Sequence, residues 1–357
     1  MRTLRNYIAR EVAIATALVF AALLMLFAFF DVVDQMKDLG RGGYKLSHIL
    51  LYVLLSAPDH VYELFPIAVL IGTLFALAQL VSSSEYTVMR ASGVSLARVT
   101  GALCSIGVLF GVLTFAVGEF VAPPAEQFAQ RLRSQAISGI IAQEFRSGLW
   151  IKDGTAFVNV LEVTPSAELK GVRIYEFDEN YRLRTLRFAA HGKYEGQNRW
   201  LLTDVAQTMF EQLKTRVSHV ERMEWQSVLE PGLLSVLLTE PEKMSAWTLY
   251  SYSQHLKENR QKALRYEIAL WIKLLYPVAV VVMMVLALPF AYFQSRQGGV
   301  GGKIFVGIML GLAFYFLNRL FGHLGLLNDW PPFASAVTPT LLFLSIALGM
   351  MWWQERR

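Results

Sequence analysis

The sequence Ser-Ser-Ser-Glu-Tyr-Thr-Val-Met-Arg-Ala-Ser-Gly, residues 82–93, forms a short polar gap between two long apolar runs. Ser82 followed three residues later by Glu85 matches a capping box, which predicts that a helix begins there. Gly93 suits the position just past the end of that helix. The segment is therefore predicted to be a helix of roughly two to three turns between two membrane spans. A short helix in this position suits docking into a groove on a soluble partner.

The composition is that of a membrane protein. Of the 357 residues, 54% are hydrophobic and only 17% are charged, which is too apolar for an ordinary soluble domain. The net charge of +5 is the modest basic excess expected of loops that stay inside the cell. No basic stripe interleaves with aromatic residues, so we expect no nucleic-acid partner. The single cysteine, Cys104, cannot form an intrachain disulfide or a thiolate metal cluster.

Six runs with little or no charge are long enough to cross a bilayer as helices. They cover approximately residues 12–30, 61–81, 99–118, 268–293, 303–321 and 332–353. The first run follows three arginines, as in a signal peptide, but it is too long for one and no small-residue cleavage site follows. It is interpreted as the first retained span.

A polar insert, residues 122–267, separates the third and fourth runs. Its ends, 124–138 and 254–267, are predicted to be helices that leave and re-enter the membrane. Between them, short β-forming runs alternate with turn sequences at 153–154, 178–181 and 196–199, a spacing that predicts a β-sandwich, a jelly roll or an open barrel. The predicted fold is a polytopic α-helical membrane protein with six transmembrane helices and a jellyroll-like β domain between helices 3 and 4. Its three parts are residues 1–121, 122–267 and 268–357.

The charges of the short loops predict the orientation. The N-terminus, the gaps at 82–98 and 294–303 and the C-terminal tail contain Arg2, Arg5, Arg10, Arg90, Arg98, Arg296, Lys303, Arg356 and Arg357. The opposite short loops contribute only Lys37, Arg41 and Lys45. The positive-inside rule then places both termini in the cytoplasm. The β insert would lie on the far side, which in a Gram-negative bacterium is the periplasm.

The sequence predicts no catalytic residue, no metal site and no cofactor. The glycine-rich segment 298–303 is not a phosphate-binding loop, because Gln297 stands where the first glycine belongs and Ile304 replaces the required Ser or Thr. The six histidines lack metal-ligand spacing, and no serine lies in a nucleophile-elbow pattern.

Positive charge near the outer membrane face needs an explanation, because the topology rule disfavours it there. Each side chain could simply extend to lipid headgroups. Together they indicate a site for an anionic substrate, since lysine and arginine bind phosphate well. Asp31 and Asp34 lie close by and dilute the charge. The basic residues concerned are Lys37, Arg41, Lys45, Arg131 and Arg133.

Aromatic residues in the spans are candidates for lining a lipid-sized cavity, although such residues more often face lipid or pack in the interior. Glu85 likewise has two interpretations, as the capping partner of Ser82 or as an ionic contact with a basic residue of a partner. The candidate aromatic residues are Phe27, Phe29, Phe30, Phe65, Phe314, Tyr315, Phe316 and Phe321.

Four segments carry a family resemblance, at residues 33–37, 84–93, 118–123 and 148–154. Their order, with six spans and one β insert, resembles the lipopolysaccharide-export permeases of the LptF/LptG family over essentially the whole chain. The Val-Asp-Gln sequence at 33–35 and the Gly-Leu-Trp sequence at 148–150 are more similar to the LptG branch than to the LptF branch.

The resemblance implies a permease subunit of an ATP-driven exporter in the bacterial inner membrane. It implies an LptF-like permease as heterodimer partner, an LptB-like ATPase dimer, an LptC-like periplasmic protein and lipopolysaccharide as substrate. The expected ATPase-coupling residues are Glu85, Tyr86, Met89 and Arg90. The expected substrate-binding residues are Lys37, Arg41, Arg133, Phe30, Phe65, Phe314 and Tyr315. Asp31 falls where some relatives are expected to have a basic residue.

Three alternatives stay open at the level of the sequence. The chain could be the LptF-like subunit of the same machine, or another ABC permease with a periplasmic domain. It could also be a membrane scaffold or sensor that transports nothing, and then neutralising the outer basic residues would be harmless.

Overall fold

The computed structural model describes residues 2–137, 148–164, 168–178, 180–196, 198–210, 214–227, 240–258, 261–293 and 300–356. Residues 294–299, which include the first glycines of the glycine-rich segment, lie outside the described residues. The helices are α1 (Arg2–Gln35), α2 (Leu46–Ser56), α3 (His60–Ser82), α4 (Glu85–Ala91), α5 (Leu96–Ala116), α6 (Ala122–Ala136), α7 (Ala246–Glu258), α8 (Leu264–Phe293), α9 (Val300–Leu327) and α10 (Pro332–Glu355). The strands are β1 (Leu149–Asp153), β2 (Ala156–Val163), β3 (Leu169–Phe177), β4 (Leu183–Gly196), β5 (Arg199–Phe210) and β6 (Thr215–Gln226).

Six described helices are long and apolar enough to cross a membrane, as predicted: α1, α3, α5, α8, α9 and α10. Five of them extend beyond their predicted apolar runs at one end or both, because backbone hydrogen bonding continues into the polar flanks, whereas α5 begins three residues early and ends at Ala116. The fold class is confirmed, with an antiparallel sheet inserted between the third and fourth of these helices.

The centre of the transmembrane part is formed by α3 and α8, which contact each other. Helices α1 and α9 also pack on α3, while α5 and α10 pack on α8. Small residues permit the close crossings, as at Gly72, where an added Cβ would lie 2.5 Å from the Cα of Thr16. Both central helices are apolar around most of their circumference, which is the pattern of a buried helix.

Helix α2 was not predicted. It has 11 residues, so it is about 16 Å long and too short to cross the hydrocarbon core. It packs instead against α6, with Tyr44, Ile49 and Val53 buried near Ala129. This pair of helices lies at the end of the bundle where the chain leaves for the β domain.

The six strands form one antiparallel sheet in sequential order. The turn predicted at 153–154 is confirmed, with Gly154 at φ 59°. The other two predicted turns each include a residue outside the described ones, but the strands on either side of them pair as antiparallel neighbours. Ser227, just after β6, donates to Asp153 Oδ2 at the end of β1 over 2.5 Å. The two edge strands therefore approach each other and the sheet curls, so that its buried face encloses Trp200 and Trp225.

The return to the membrane differs from the prediction of one helix over 254–267. Helix α7 ends at Glu258 and α8 begins at Leu264. Among the described residues between them, the N–H of Gln261 bonds to the carbonyl of Leu256 over 2.8 Å. A bond spanning five residues closes the end of a helix, so the chain turns here before the fourth span begins.

Candidate functional site

Helix α4 begins at Glu85, so the predicted capping box at Ser82 is wrong. Helix α3 continues to Ser82, and the hydroxyls of Ser82 and Ser83 donate to the carbonyl of Gln79 over 2.8 and 3.0 Å. These hydroxyls satisfy the end of α3 instead of the start of α4. Ser84 then takes a left-handed conformation, φ 61°, which reverses the chain.

The end of α4 is as predicted. Gly93 has φ 84°, and its N–H bonds to the carbonyl of Arg90 over 3.0 Å. The N–H of Val94 reaches the carbonyl of Met89 over 3.1 Å. These bonds form the pattern of a glycine-terminated helix, in which a side chain at the left-handed position would be strained.

Glu85 joins α4 to the first helix. Its Oε2 accepts a hydrogen bond from the Tyr7 hydroxyl over 2.8 Å, and its Oε1 accepts one from Ser83 over 3.1 Å. A shift of α4 would therefore act on α1, although the two elements are 78 residues apart in sequence.

The two faces of α4 differ. Tyr86 and Met89 pack against the transmembrane core, while Thr87, Val88 and Arg90 are exposed. Of the four predicted coupling residues, the structure thus places Glu85, Tyr86 and Met89 on contacts within the chain and Arg90 at the surface. The sequence analysis missed Thr87 and Val88, which the spacing of Tyr86 and Met89 would have placed on the outward face.

At the opposite end of the bundle, a basic cluster is organised by two aspartates. Arg133 Nη2 contacts Asp38 Oδ2 at 2.6 Å, and Arg41 Nη1 contacts Asp38 Oδ1 at 2.7 Å. Lys37 Nζ contacts Asp34 Oδ1 at 2.6 Å. We use the name basic cluster for these five residues. The structure thus brings three of the five predicted basic residues onto one surface, where three positive charges meet two negative charges.

The members of the basic cluster differ in exposure. The side chains of Lys37 and Arg41 are 75% and 69% exposed, whereas that of Arg133 is 35% exposed and that of Asp38 is 11% exposed. Asp38 was not predicted, although its spacing of three residues from Arg41 is a signal for an ion pair. The exposed cations can reach a ligand, while Arg133 holds Asp38 in place.

Asp31 is engaged with the protein. Its Oδ2 lies 2.7 Å from Nε2 of His60 at the start of α3. The His60 ring also packs edge-on against Phe27, with ring centroids 5.4 Å apart. Asp31 therefore connects α1 to α3 and takes part in the packing of these two helices.

The predicted aromatic residues do not form one cavity within the chain. Phe30 is exposed on α1, but Phe65 packs against Phe20 and Phe110 with centroid distances of 5.5 and 5.6 Å. Phe314 is buried against Phe343, 5.2 Å away. The Tyr315 hydroxyl donates to Glu63 Oε1 over 3.3 Å.

Arg319 is a charged residue on α9 whose environment the sequence did not predict. Its guanidinium lies 3.6 Å from Glu63 Oε1 and 5.4 Å from the centre of the Tyr315 ring. The Arg319 side chain is nevertheless 70% exposed. It lies at one end of an exposed apolar stripe on α9 formed by Phe305, Met309, Leu312, Phe316 and Leu320.

A junction connects the base of the β domain to the spans. We define it as residues 240–247 with their contacts on α5, α6 and α8. The Glu119 carboxylate accepts the N–H groups of Ala246 and Trp247 over 2.7 and 3.2 Å, which caps the start of α7. Glu119 lies in a π-helical turn, Val117–Val121, at the end of α5.

Two lysines complete the junction. Lys243 Nζ lies 3.1 Å from Glu126 Oε1, and the Glu126 side chain is only 3% exposed. Glu126 also accepts hydrogen bonds from Ser56 and Gln130 over 3.1 and 2.9 Å. Lys273 of α8 donates to the carbonyl of Met244. Three separate helices thus hold the segment by which the chain returns from the β domain.

Near the junction, burial and neighbouring charges have opposite effects on the pKa values of Asp59 and Lys243. Burial raises the pKa of Asp59 to about 6, and the nearby Lys243 partly opposes this. Burial lowers the pKa of Lys243, but the Glu126 carboxylate outweighs it and raises that pKa overall. In the described part of the chain, no group of three or more His, Cys, Asp and Glu side chains could hold a metal ion.

Comparisons with known proteins give a consistent result. The model of a family described as lipopolysaccharide export system permease LptF/LptG matches residues 6–353. The chain is 35% identical over 350 residues to the lipopolysaccharide export system permease protein LptG of Escherichia coli K12, covering 98% of this chain and 97% of that protein. It is 32% identical over 355 residues to the protein of the same name from Haemophilus influenzae, covering 99% and 98%.

Proposed function

This chain belongs to the LptF/LptG family of lipopolysaccharide export system permeases, and from that membership we propose that it is the LptG-type permease of a lipopolysaccharide exporter. The observation that carries the proposal is similarity to LptG proteins over nearly the whole chain. Six spans with one inserted sheet support it. The curated relatives are LptG proteins, so an LptF-type role is not favoured.

The chain works in the inner membrane without an ATPase activity of its own. An LptB-like ATPase dimer supplies the energy, and α4 is its contact. The exposed Thr87, Val88 and Arg90 suit a groove on such a partner. Tyr86 and Met89 pack against the transmembrane core, so a movement of α4 caused by the ATPase would also move the core. The hydrogen bond between Glu85 and Tyr7 would transmit the same movement of α4 to α1. Helix α4 and both termini lie in the cytoplasm, and the β domain lies in the periplasm.

An LptF-like permease is the heterodimer partner, and an LptC-like protein receives substrate from the β domain. Support for a partner within the membrane comes from α1 and α9, which both pack on α3 and expose broad apolar faces. On α1 the exposed residues include Leu18, Met25, Phe29 and Phe30. Such faces suit a second permease or the acyl chains of a lipid.

The basic cluster receives the phosphate groups of the substrate. Lys37 and Arg41 are exposed and each is balanced by one carboxylate, so a phosphate can replace that carboxylate as their partner. Arg133 keeps Asp38 in place while this happens. The phosphates are then held at the end of the bundle that leads to the β domain.

Extraction of the acyl chains explains the need for ATP. Each methylene that leaves the bilayer for water costs about 0.8 kcal/mol. A lipid with several chains therefore requires on the order of tens of kcal/mol unless apolar surfaces receive it. The apolar faces of α1 and α9 reduce this cost inside the membrane, and the ATPase supplies the remainder.

Charge reversal at the exposed cations tests the proposal. The double variant Lys37→Glu/Arg41→Glu, reconstituted with the partner permease and ATPase, should release much less lipopolysaccharide to a periplasmic acceptor while its basal ATP hydrolysis persists. Lys262→Glu is the matched control, because Lys262 is 86% exposed in the turn before α8. Undiminished release from the double variant would contradict the basic cluster as the phosphate site, and absence of release from the unsubstituted complex would favour a scaffold or a different cargo.

A further inference from the structure

Three exposed aromatic residues lie where the π-helical turn that follows α5 contacts the start of α7. Phe120 and Trp247 are each 74% exposed and Tyr250 is 49% exposed. The Trp247 and Tyr250 ring centroids are 6.2 Å apart, one turn of α7 from each other. We call these three residues the aromatic shelf.

The aromatic shelf is fixed in position by Glu119. This residue precedes Phe120 in the π-helical turn, and its Oε1 accepts the N–H of Trp247 over 3.2 Å. Phe120 and Trp247, which are 127 residues apart in sequence, are thereby held at the same end of the bundle. The start of α7 is held a second time by Lys273, which bonds to the carbonyl of Met244.

Below the aromatic shelf the exposed surface is continuously apolar. Helix α5 exposes Val108, Leu109, Val112 and Leu113, and α8 exposes Trp271, Leu274 and Val278. Both helices are membrane spans, and α8 packs against α7. The shelf therefore continues the surface that these spans present to lipid.

Helix α7 itself does not have the composition of a span. It has 13 residues and is not among the candidate spans. Its exposed residues change along the helix from Trp247 and Tyr250 at the start to Lys257 and Glu258 at the end. An aromatic start and a charged end fit a helix that touches the boundary of a bilayer and then rises into water.

We propose that the aromatic shelf binds the headgroup layer of the bilayer leaflet next to the β domain and sets the depth at which α7 starts. Trp and Tyr favour this layer, because their rings are largely apolar while the indole N–H and phenol O–H bind polar partners. The ligand is the surface of ordinary phospholipids. The β domain is then tied both to the spans and to the membrane surface.

Depth-dependent fluorescence quenching tests the proposal. Cys104 is replaced by Ala in the full chain, and Trp247→Cys or Tyr250→Cys is labelled with bimane in phosphatidylcholine vesicles. Spin labels are placed on the lipid headgroup, at carbon 5 or at carbon 12 of an acyl chain. Both sites should be quenched most by the headgroup and carbon-5 labels. Val278→Cys, in the middle of α8, should be quenched most by the carbon-12 label, and Tyr181→Cys, in the β3–β4 turn, by none.

Other results would overturn the proposal. Quenching at Trp247 and Tyr250 no stronger than at Tyr181 would place the shelf in water, and a maximum at carbon 12 would place it in the hydrocarbon core. Loss of quenching after the partner permease and ATPase are added would show that protein covers the shelf. The vesicles contain no lipopolysaccharide, so the result is independent of whether the chain transports it.

Discussion

Asp38 is the residue that gives the basic cluster its shape, because its two oxygens bind two arginines from different parts of the chain. Arg41 is three residues away in sequence and Arg133 is 95 residues away. Charge counting in the sequence identified the cations, since lysine and arginine near a membrane face can be counted directly. It could not identify the contact between Asp38 and Arg133, because that contact arises only when α6 packs beside the turn that follows α1.

A second residue-scale feature is the partly buried carboxyl of Asp59, which predicts a pH-dependent stability. The pKa of Asp59 rises from 3.8 to about 6 because of burial, so the folded chain binds this proton more tightly than the unfolded chain. Its contribution therefore destabilises the fold as pH rises from about 4 to 6. Asp59→Asn removes this cost, which is at most about 1–3 kcal/mol.

Thermal unfolding in detergent measures this effect. We expect Asp59→Asn to have nearly the wild-type melting temperature at pH 4.5 and a higher one at pH 7.5. A difference from wild type that is the same at both pH values, or larger at pH 4.5, would contradict the raised pKa.

At the scale of elements, α4 shows where sequence patterns succeed and where they fail. Gly93 predicted the end of the helix correctly, since few residues other than glycine tolerate the left-handed conformation found there. Ser82 failed as a start, because α3 continues to that residue and uses its hydroxyl. Local motifs compete, and the choice between ending one helix and starting the next depends on packing against the core.

The two faces of α4 predict different results for neighbouring substitutions. Val88→Asp changes an exposed residue, so it should weaken co-purification of the ATPase and leave the melting temperature unchanged. Met89→Asp places a charge against the transmembrane core and should lower the stability by about 1–3 kcal/mol or more. Equal ATPase recovery for Val88→Asp and wild type would argue against α4 as the contact.

The junction makes a prediction about a buried ion pair. Lys243→Met leaves the Glu126 carboxylate buried without its cation, which costs about 3–5 kcal/mol. Lys243→Met/Glu126→Leu removes both charges and should recover much of that loss. Chemical or thermal unfolding measures the stability of the single and double variants. A double variant as unstable as the single one would contradict an energetic coupling between Lys243 and Glu126.

The contacts of the junction could not be predicted from the sequence. The six spans follow from long apolar runs, and the strands follow from alternating patterns and turn sequences, all of which are local signals. Glu119, Glu126 and Lys243 meet partners more than 100 residues away in sequence. Helix α2 was missed for a different reason, since a helix of 11 residues is too short to be recognised as a span.

At the scale of the whole molecule, the order of the spans places α4 and the β domain at opposite ends of the bundle. Helix α3 leads from the basic-cluster end to α4, and α5 leads back to the β domain. With Cys104 replaced by Ala, a membrane-impermeant thiol reagent applied to cells with an opened outer membrane should label Tyr181→Cys. It should label Thr87→Cys only after lysis. The reverse pattern would invert the orientation.

In the proposed exporter, an ATPase contacts α4, apolar faces within the membrane receive the acyl chains, and the junction fixes the β domain beside the basic cluster at the far end. We propose that lipopolysaccharide passes the basic cluster when ATP is used. That claim concerns the assembled exporter, so it has to be tested with the partner permease and ATPase present.

The most direct test is a photocrosslink from position 37, with Arg133 as a second site and Val88 as the control at the opposite end. Position 37 should yield a lipopolysaccharide adduct whose amount changes when ATP is added. Position 88 should crosslink to the ATPase and yield no lipopolysaccharide adduct. Absence of the adduct at both position 37 and position 133, in a complex that hydrolyses ATP, would show that lipopolysaccharide does not pass the basic cluster.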